Sequence, residues 1–106
     1  MSFISKMLGN SEVYMCDKDI TKFLLLEGFD YFPAGLNEIG MRYVAGNDLY
    51  YVQIDFHKDR FLVYVEYECG EELDRKEFNF LNNKSGNFLK AYFNSIEWAK
   101  EYVNPN

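Results

Sequence analysis

Between Glu38 and Phe80 apolar and polar residues alternate with a period of two, the spacing of half-buried strands rather than of helices. Asking which register places the apolar side chains on one face yields a single solution. With a turn at Asn47-Asp48, residues Ile39, Met41, Tyr43 and Ala45 fall opposite Phe56, Ile54, Val52 and Tyr50. With a second turn over 57–60, Phe56 faces Phe61, Ile54 faces Val63, Val52 faces Val65 and Tyr50 faces Tyr67. A third turn at Gly70-Glu71 brings Phe78 and Phe80 beside Val63 and Phe61, with Asp74 and Lys76 on the apolar side where the last strand runs past the core. The expectation is a four-stranded antiparallel β-meander with one apolar face.

Helical spacing flanks this meander on both sides. Phe3, Ile4, Met7 and Leu8 precede Gly9-Asn10 and predict a short first helix. A second runs through Ile20, Phe23, Leu24 and Glu27, with Asp17 or Asp19 as N-cap and Gly28 in the left-handed position past its end; Leu24-Leu25-Leu26 is also compatible with a buried strand. At the C-terminal side Phe88, Leu89, Tyr92, Phe93, Ile96, Ala99, Tyr102 and Val103 recur every three or four residues. Ser85 or Asn87 caps its start, Asn104-Pro105 ends it, and a break at Asn94-Ser95 with Ser95 as a second N-cap is an alternative. An apolar sheet face needs a cover, and these helices supply it. Residues 1–106 thus read as a single α+β domain, a two-layer sandwich of meander and N- and C-terminal helices.

Composition adds constraints that pattern alone does not. Ten Phe, nine Tyr and one Trp are too many rings for a core of this size, so some tyrosines must lie at the surface, where a ring with a hydroxyl suits a protein interface. A formal net charge of -6 repels phosphate backbones and anionic lipid and attracts a basic partner. Met1 to Gly9 is too poor in apolar residues for a signal peptide and no run is long enough to span a bilayer, so the reading is cytoplasmic, with no membrane partner. Cys16 and Cys69 lie far apart in no metal-like spacing and read as reduced thiols.

Catalytic chemistry finds little to stand on. His57, the single histidine, belongs to a turn with Lys58-Asp59-Arg60 and has no sequence-adjacent nucleophile. No metal, phosphate-loop or nucleophile-elbow pattern occurs, and the carboxylate pairs Glu66 with Glu68 and Glu71 with Glu72 lie on a sheet too small to form a sugar-sized cleft. The reading is a binding protein without cofactor or metal.

The register that buries one sheet face also names the residues of the other. Arg42, Gln53 and Tyr64 form one row, Val44, Tyr51, Glu66 and Arg75 a second, with Asp55, Leu62, Glu68, Glu77 and Leu73 around them. Carboxylates interleaved with tyrosines suit recognition of a basic protein, although cross-strand pairs such as Glu66 with Arg75 also stabilise an ordinary solvated face. The loop from Cys69 to Asp74 offers a second acidic surface.

Small size, acidity, abundant Tyr and Asn and the lack of catalytic apparatus together make the chain resemble small immunity proteins of bacterial toxin systems, such as those paired with contact-dependent growth-inhibition nucleases. The resemblance implies a chain that binds a toxin nuclease domain as a monomer and blocks its active site or substrate groove, with Tyr51, Asp55, Tyr64, Glu66, Glu68 and Glu77 as contacts. A phage-encoded anti-defence inhibitor that mimics nucleic acid would have the same composition. An adaptor that oligomerises through an edge strand or the tyrosine-bearing face is a further alternative.

Overall fold

Helix α1 spans Asp17–Leu26 in a computed structural model that describes residues 17–35, 38–80 and 85–103. The expected helix over Phe3 to Leu8, Cys16 and the Asn104-Pro105 stop lie outside the described residues. Leu24-Leu25-Leu26 is helical, with Leu24 buried and Leu25 and Leu26 exposed. The helix ends as its glycine predicts. Gly28 takes a φ of 96° and donates its N–H to the Leu25 carbonyl at 3.2 Å, while the Phe29 N–H reaches the Leu24 carbonyl at 2.9 Å. This is the left-handed stop in which the residue after the glycine packs on the last turn, and Leu24 and Phe29 are both core residues.

The sheet has five strands rather than four: β1 Asp30–Gly35, β2 Glu38–Gly46, β3 Tyr50–His57, β4 Arg60–Tyr67 and β5 Glu72–Asn79. They form an antiparallel meander in sequence order. The additional strand, β1, carries Pro33, which cannot donate to a ladder and therefore argues against a strand unless the strand is at an edge. Here it is at the edge, with a register irregularity between Pro33 and Gly35.

The β3–β4 register is the expected one, from Phe56 opposite Phe61 to Tyr50 opposite Tyr67. Both neighbouring hairpins differ from expectation by two residues. Met41, not Ile39, lies opposite Phe56, and Phe61 pairs with Phe78 rather than Phe80. At the β2–β3 turn the reversal is centred on Asp48-Leu49, one residue later than expected: the Asn47 N–H donates to the Tyr50 carbonyl at 2.9 Å, and Asn47 Oδ1 accepts the N–H groups of Leu49 and Tyr50 at 2.9 and 2.8 Å, holding the turn there. At the last, the register shifts between Val65, opposite Asp74, and Glu66, opposite Glu72, so that Leu73 is the extra residue of a bulge. A slip of two keeps side chains on their expected face but exchanges their cross-strand partners; only past the bulge, at Leu73 and Glu72, does the face itself change.

Helix α2 spans Ser85–Ala99 and packs on β4 and β5. It is unbroken at Asn94-Ser95: the buried Ser95 hydroxyl donates to the Tyr92 carbonyl at 2.6 Å instead of capping a new helix. After Ala99 a turn brings Tyr102 and Val103 back under the sheet, with the Val103 N–H on the Ala99 carbonyl at 3.0 Å. The core between the layers is aromatic. Phe23 meets Phe88 and Tyr92 edge to face at centroid separations of 5.5 and 5.1 Å, and Phe56 and Phe61 lie 4.9 Å apart. The surplus of rings reaches the surface as expected, with Tyr31, Tyr51 and Tyr67 exposed.

Candidate functional site

Both described helices contribute to the core side of the sheet, so the alternate residues of each strand form an open face. Reading across it are Asp30, Arg42, Asp55, Leu62 and Glu77; then Val44, Gln53, Tyr64 and Arg75; then Gly46, Tyr51, Glu66 and Glu72; on the far side of the first row lie Phe32 with Gly40, and His57 with Arg60 and Asn79. These replace the expected rows, which placed Arg42 beside Gln53, and Tyr51 between Val44 and Glu66. Leu73, expected on this face, packs against the core instead because it is the bulge residue.

All three arginines of the chain are bound to carboxylates on this face. Arg42 Nε and Nη2 donate to Asp55 Oδ1 and Oδ2 at 2.8 and 3.2 Å, and Gln53 Nε2 donates to Asp55 Oδ2 at 3.0 Å. The Arg42 guanidinium also lies 4.2 Å from the centroid of the Phe32 ring. That ring rests over Gly40, where a β-carbon would come within 2.5 Å of it. Arg60 Nη1 reaches Glu77 Oε1 at 2.8 Å. Arg75 takes Glu72 at 2.7 and 3.1 Å to Oε1, and its guanidinium lies 4.9 Å from the Tyr64 ring centroid. Hydrogen bonding to these carboxylates raises all three guanidinium pKa values above the ordinary arginine range; for Arg42, burial opposes the effect of Asp55.

This pairing sorts the six residues expected to contact a partner. Asp55 and Glu77 are engaged by Arg42 and Arg60, and Tyr64 has Arg75 over its ring. Tyr51 and Glu66 are direct cross-strand neighbours, and the residue across Tyr51 on β2 is Gly46, which contributes no side chain. Arg75, expected on Glu66, sits on Glu72 instead, and among the described residues Glu66 has no ion pair or side-chain hydrogen bond. Glu68 lies off the face, in the turn between β4 and β5.

That turn meets another. The Glu68 N–H donates to the Leu49 carbonyl at 3.2 Å, so the β2–β3 and β4–β5 turns form one end of the molecule, where Leu49 is 66% exposed. Asn47 Nδ2 donates to the Tyr102 carbonyl at 3.1 Å, and the Tyr50 ring lies between those of Tyr67 and Tyr102 at 6.1 and 5.7 Å. Neither Leu49 nor Phe32 is singled out by the sequence: a lone leucine in a turn has no periodicity, and Phe32 is hidden by its neighbour Pro33.

At the opposite end His57 Nε2 and Lys58 Nζ lie 3.1 and 3.5 Å from the two oxygens of Glu38. They border an open groove of about 420 Å³ floored by Ile20, Met41 and Phe56. Among the described residues no group of three or more His, Cys, Asp and Glu side chains is arranged to hold a metal ion, and no helix is long and apolar enough to cross a membrane. Comparison with protein-family models, curated proteins and solved structures gives no match.

Proposed function

We propose that this chain is a binding protein that neutralises a basic protein partner, with an immunity protein against a nuclease toxin as the reading its surface supports best. The observation that carries it is the charge state of the open sheet face. Its arginines are consumed by Asp55, Glu77 and Glu72, while Glu66 is left without a cation beside the exposed Tyr51 and Val44. Glu66 is moreover directly opposite Glu72, an arrangement that does nothing for the stability of the free chain. A cationic side chain from a partner would satisfy it, and the neighbouring rings would give rigid contact area at small entropic cost. The net charge of -6 steers such an encounter and raises its rate.

A nuclease must hold a polyanion and therefore presents the positive groove this surface fits. The test is co-expression with the product of the gene immediately upstream, if that product is a basic nuclease domain, followed by capture of the complex and charge reversal at Glu66→Arg with Glu68→Arg. Wild-type chain is expected to protect cells and co-purify with the nuclease, and the double variant to fail at both while keeping its thermal midpoint. Unchanged affinity and salt dependence in the variant would refute the assignment. A phage anti-defence inhibitor would use the same face, and location of the gene in a phage early region would select that role.

A further inference from the structure

The sheet is charge-polarised along its strands. At the end formed by the two joined turns lie Asp48, Glu66, Glu68, Glu71, Glu72 and Asp74, with Arg75 as the facing cation. At the other end both signs are interspersed: Lys58 and His57 lie on Glu38, and Arg60 pairs with Glu77. Of the six carboxylates at the acidic end, Glu72 is held by Arg75 and Asp74 accepts the Tyr102 hydroxyl at 3.2 Å. Among the described residues the side chains of Asp48, Glu66, Glu68 and Glu71 have no such partner. In their midst projects Leu49, on a backbone held from three directions: the Asn47 side chain, the Glu68 N–H and, through Asn47, the Tyr102 carbonyl.

We infer that this end of the sheet is the docking tip of the molecule, with Leu49 entering an apolar recess of a protein partner whose rim carries Arg and Lys. The inference rests on the proposed function and narrows it from a face to a tip. An exposed leucine on a braced turn is a preorganised anchor, since little conformational entropy remains to be lost when it is buried. Carboxylates around it match the rim of a cationic groove, and their field orients the approach tip first. Other exposed apolar side chains lack this acidic surround: Leu25 and Leu26 on α1 are flanked by Lys18 and Lys22, and Ile39, with Tyr31 at the opposite end, lies beside His57 and Lys58.

Two pentapeptides, Arg-Arg-Ala-Arg-Arg and Arg-Arg-Trp-Arg-Arg, serve as probes in a titration of the full chain followed by backbone amide chemical shifts at low salt. Saturable shifts are expected at 47–51 and 66–72, with the Trp peptide binding about fivefold tighter, the gain of a single modest apolar anchor. Leu49→Asp is expected to erase that preference, and Glu68→Lys with Glu71→Lys to weaken both peptides about tenfold and flatten their salt dependence. Leu49 and Glu68 are exposed, so unchanged thermal midpoints would certify the folds. Equal affinity for the two peptides, or shifts centred on Val44, Gln53 and Tyr64 with Leu49→Asp silent, would overturn the tip while leaving the sheet-face reading intact. Absence of saturable binding on any surface would overturn both.

Discussion

Substituting Gly40 by Ala puts the packing of the open face to a quantitative test. In a strand interior this exchange ordinarily stabilises by about 0.5–1 kcal/mol, because alanine has less backbone entropy to lose. Here the new β-carbon would lie 2.5 Å from Cε1 and 2.9 Å from Cζ of Phe32, and 2.9 Å from the Phe56 carbonyl oxygen. The ring clash is relieved by pushing Phe32 outward, but the carbonyl is backbone and its close approach remains. Overpacking of this kind costs about 1–3 kcal/mol. Phe32 also carries the Arg42 guanidinium at 4.2 Å, and displacement forfeits about 0.5–1 kcal/mol more. The net expectation is a loss of about 1–3 kcal/mol, a fall in thermal midpoint of roughly 4–15 °C for a domain of this size. Urea denaturation of Gly40→Ala, Phe32→Ala and the double variant gives the coupling directly. The penalty should shrink in the Phe32→Ala background without vanishing, because the Phe56 carbonyl remains. A Gly40→Ala chain as stable as the parent, or a penalty indifferent to Phe32, would refute the packing.

Asp55→Asn should cost about 1.5–3 kcal/mol in urea melts, because it removes the charge from an acceptor of three hydrogen bonds and leaves Arg42 without its counter-ion. Arg42→Lys should recover little of the pair's contribution, since an ammonium cannot make the two-pronged contact. Phe23→Ala, at a fully buried ring touching Phe88 and Tyr92, should cost about 3–5 kcal/mol with an unchanged denaturant slope. Burial first, and then the neighbouring Glu27, push the Tyr92 phenol well above its usual value of 10.0. Its folded pKa therefore exceeds the unfolded one, so its contribution is complete below the unfolded value and declines as pH rises from there toward the folded one. Tyr92→Phe should flatten that alkaline limb of the stability curve and remove the last-titrating component of the tyrosinate absorbance.

The period-two pattern from Glu38 to Phe80 was enough to place each strand and decide which side faces the helices, because burial acts on every second residue regardless of partner. Choice of partner lies elsewhere. The slip of two at β2–β3 follows from one amide side chain, Asn47, closing its turn, and the shift at β5 from a bulge at Leu73; no alternation records either. Because of these shifts Arg75 meets Tyr64 and Glu72 rather than Glu66, so most of the face was legible as residues, Leu73 and Glu68 excepted, but not as pairs. β1 was hidden because Pro33 reads as a breaker wherever the chain's position at a sheet edge is unknown. Gly28 was legible because a left-handed helix stop is a local matter, settled by its own backbone. Leu49 gained its meaning only from Glu68, its neighbour across two hairpins.

The hydrogen bond from Asn47 to the Tyr102 carbonyl joins residues 55 apart in sequence. During synthesis the β2–β3 hairpin leaves the ribosome long before the segment that steadies it, since chains emerge from the N-terminal side. A product terminated ahead of Tyr102 would possess Leu49 and its carboxylates but not the strut that sets their geometry. Competence to capture a partner would then arrive only once the segment carrying Tyr102 has docked, so that nascent chains lacking that strut do not compete with chains that have it.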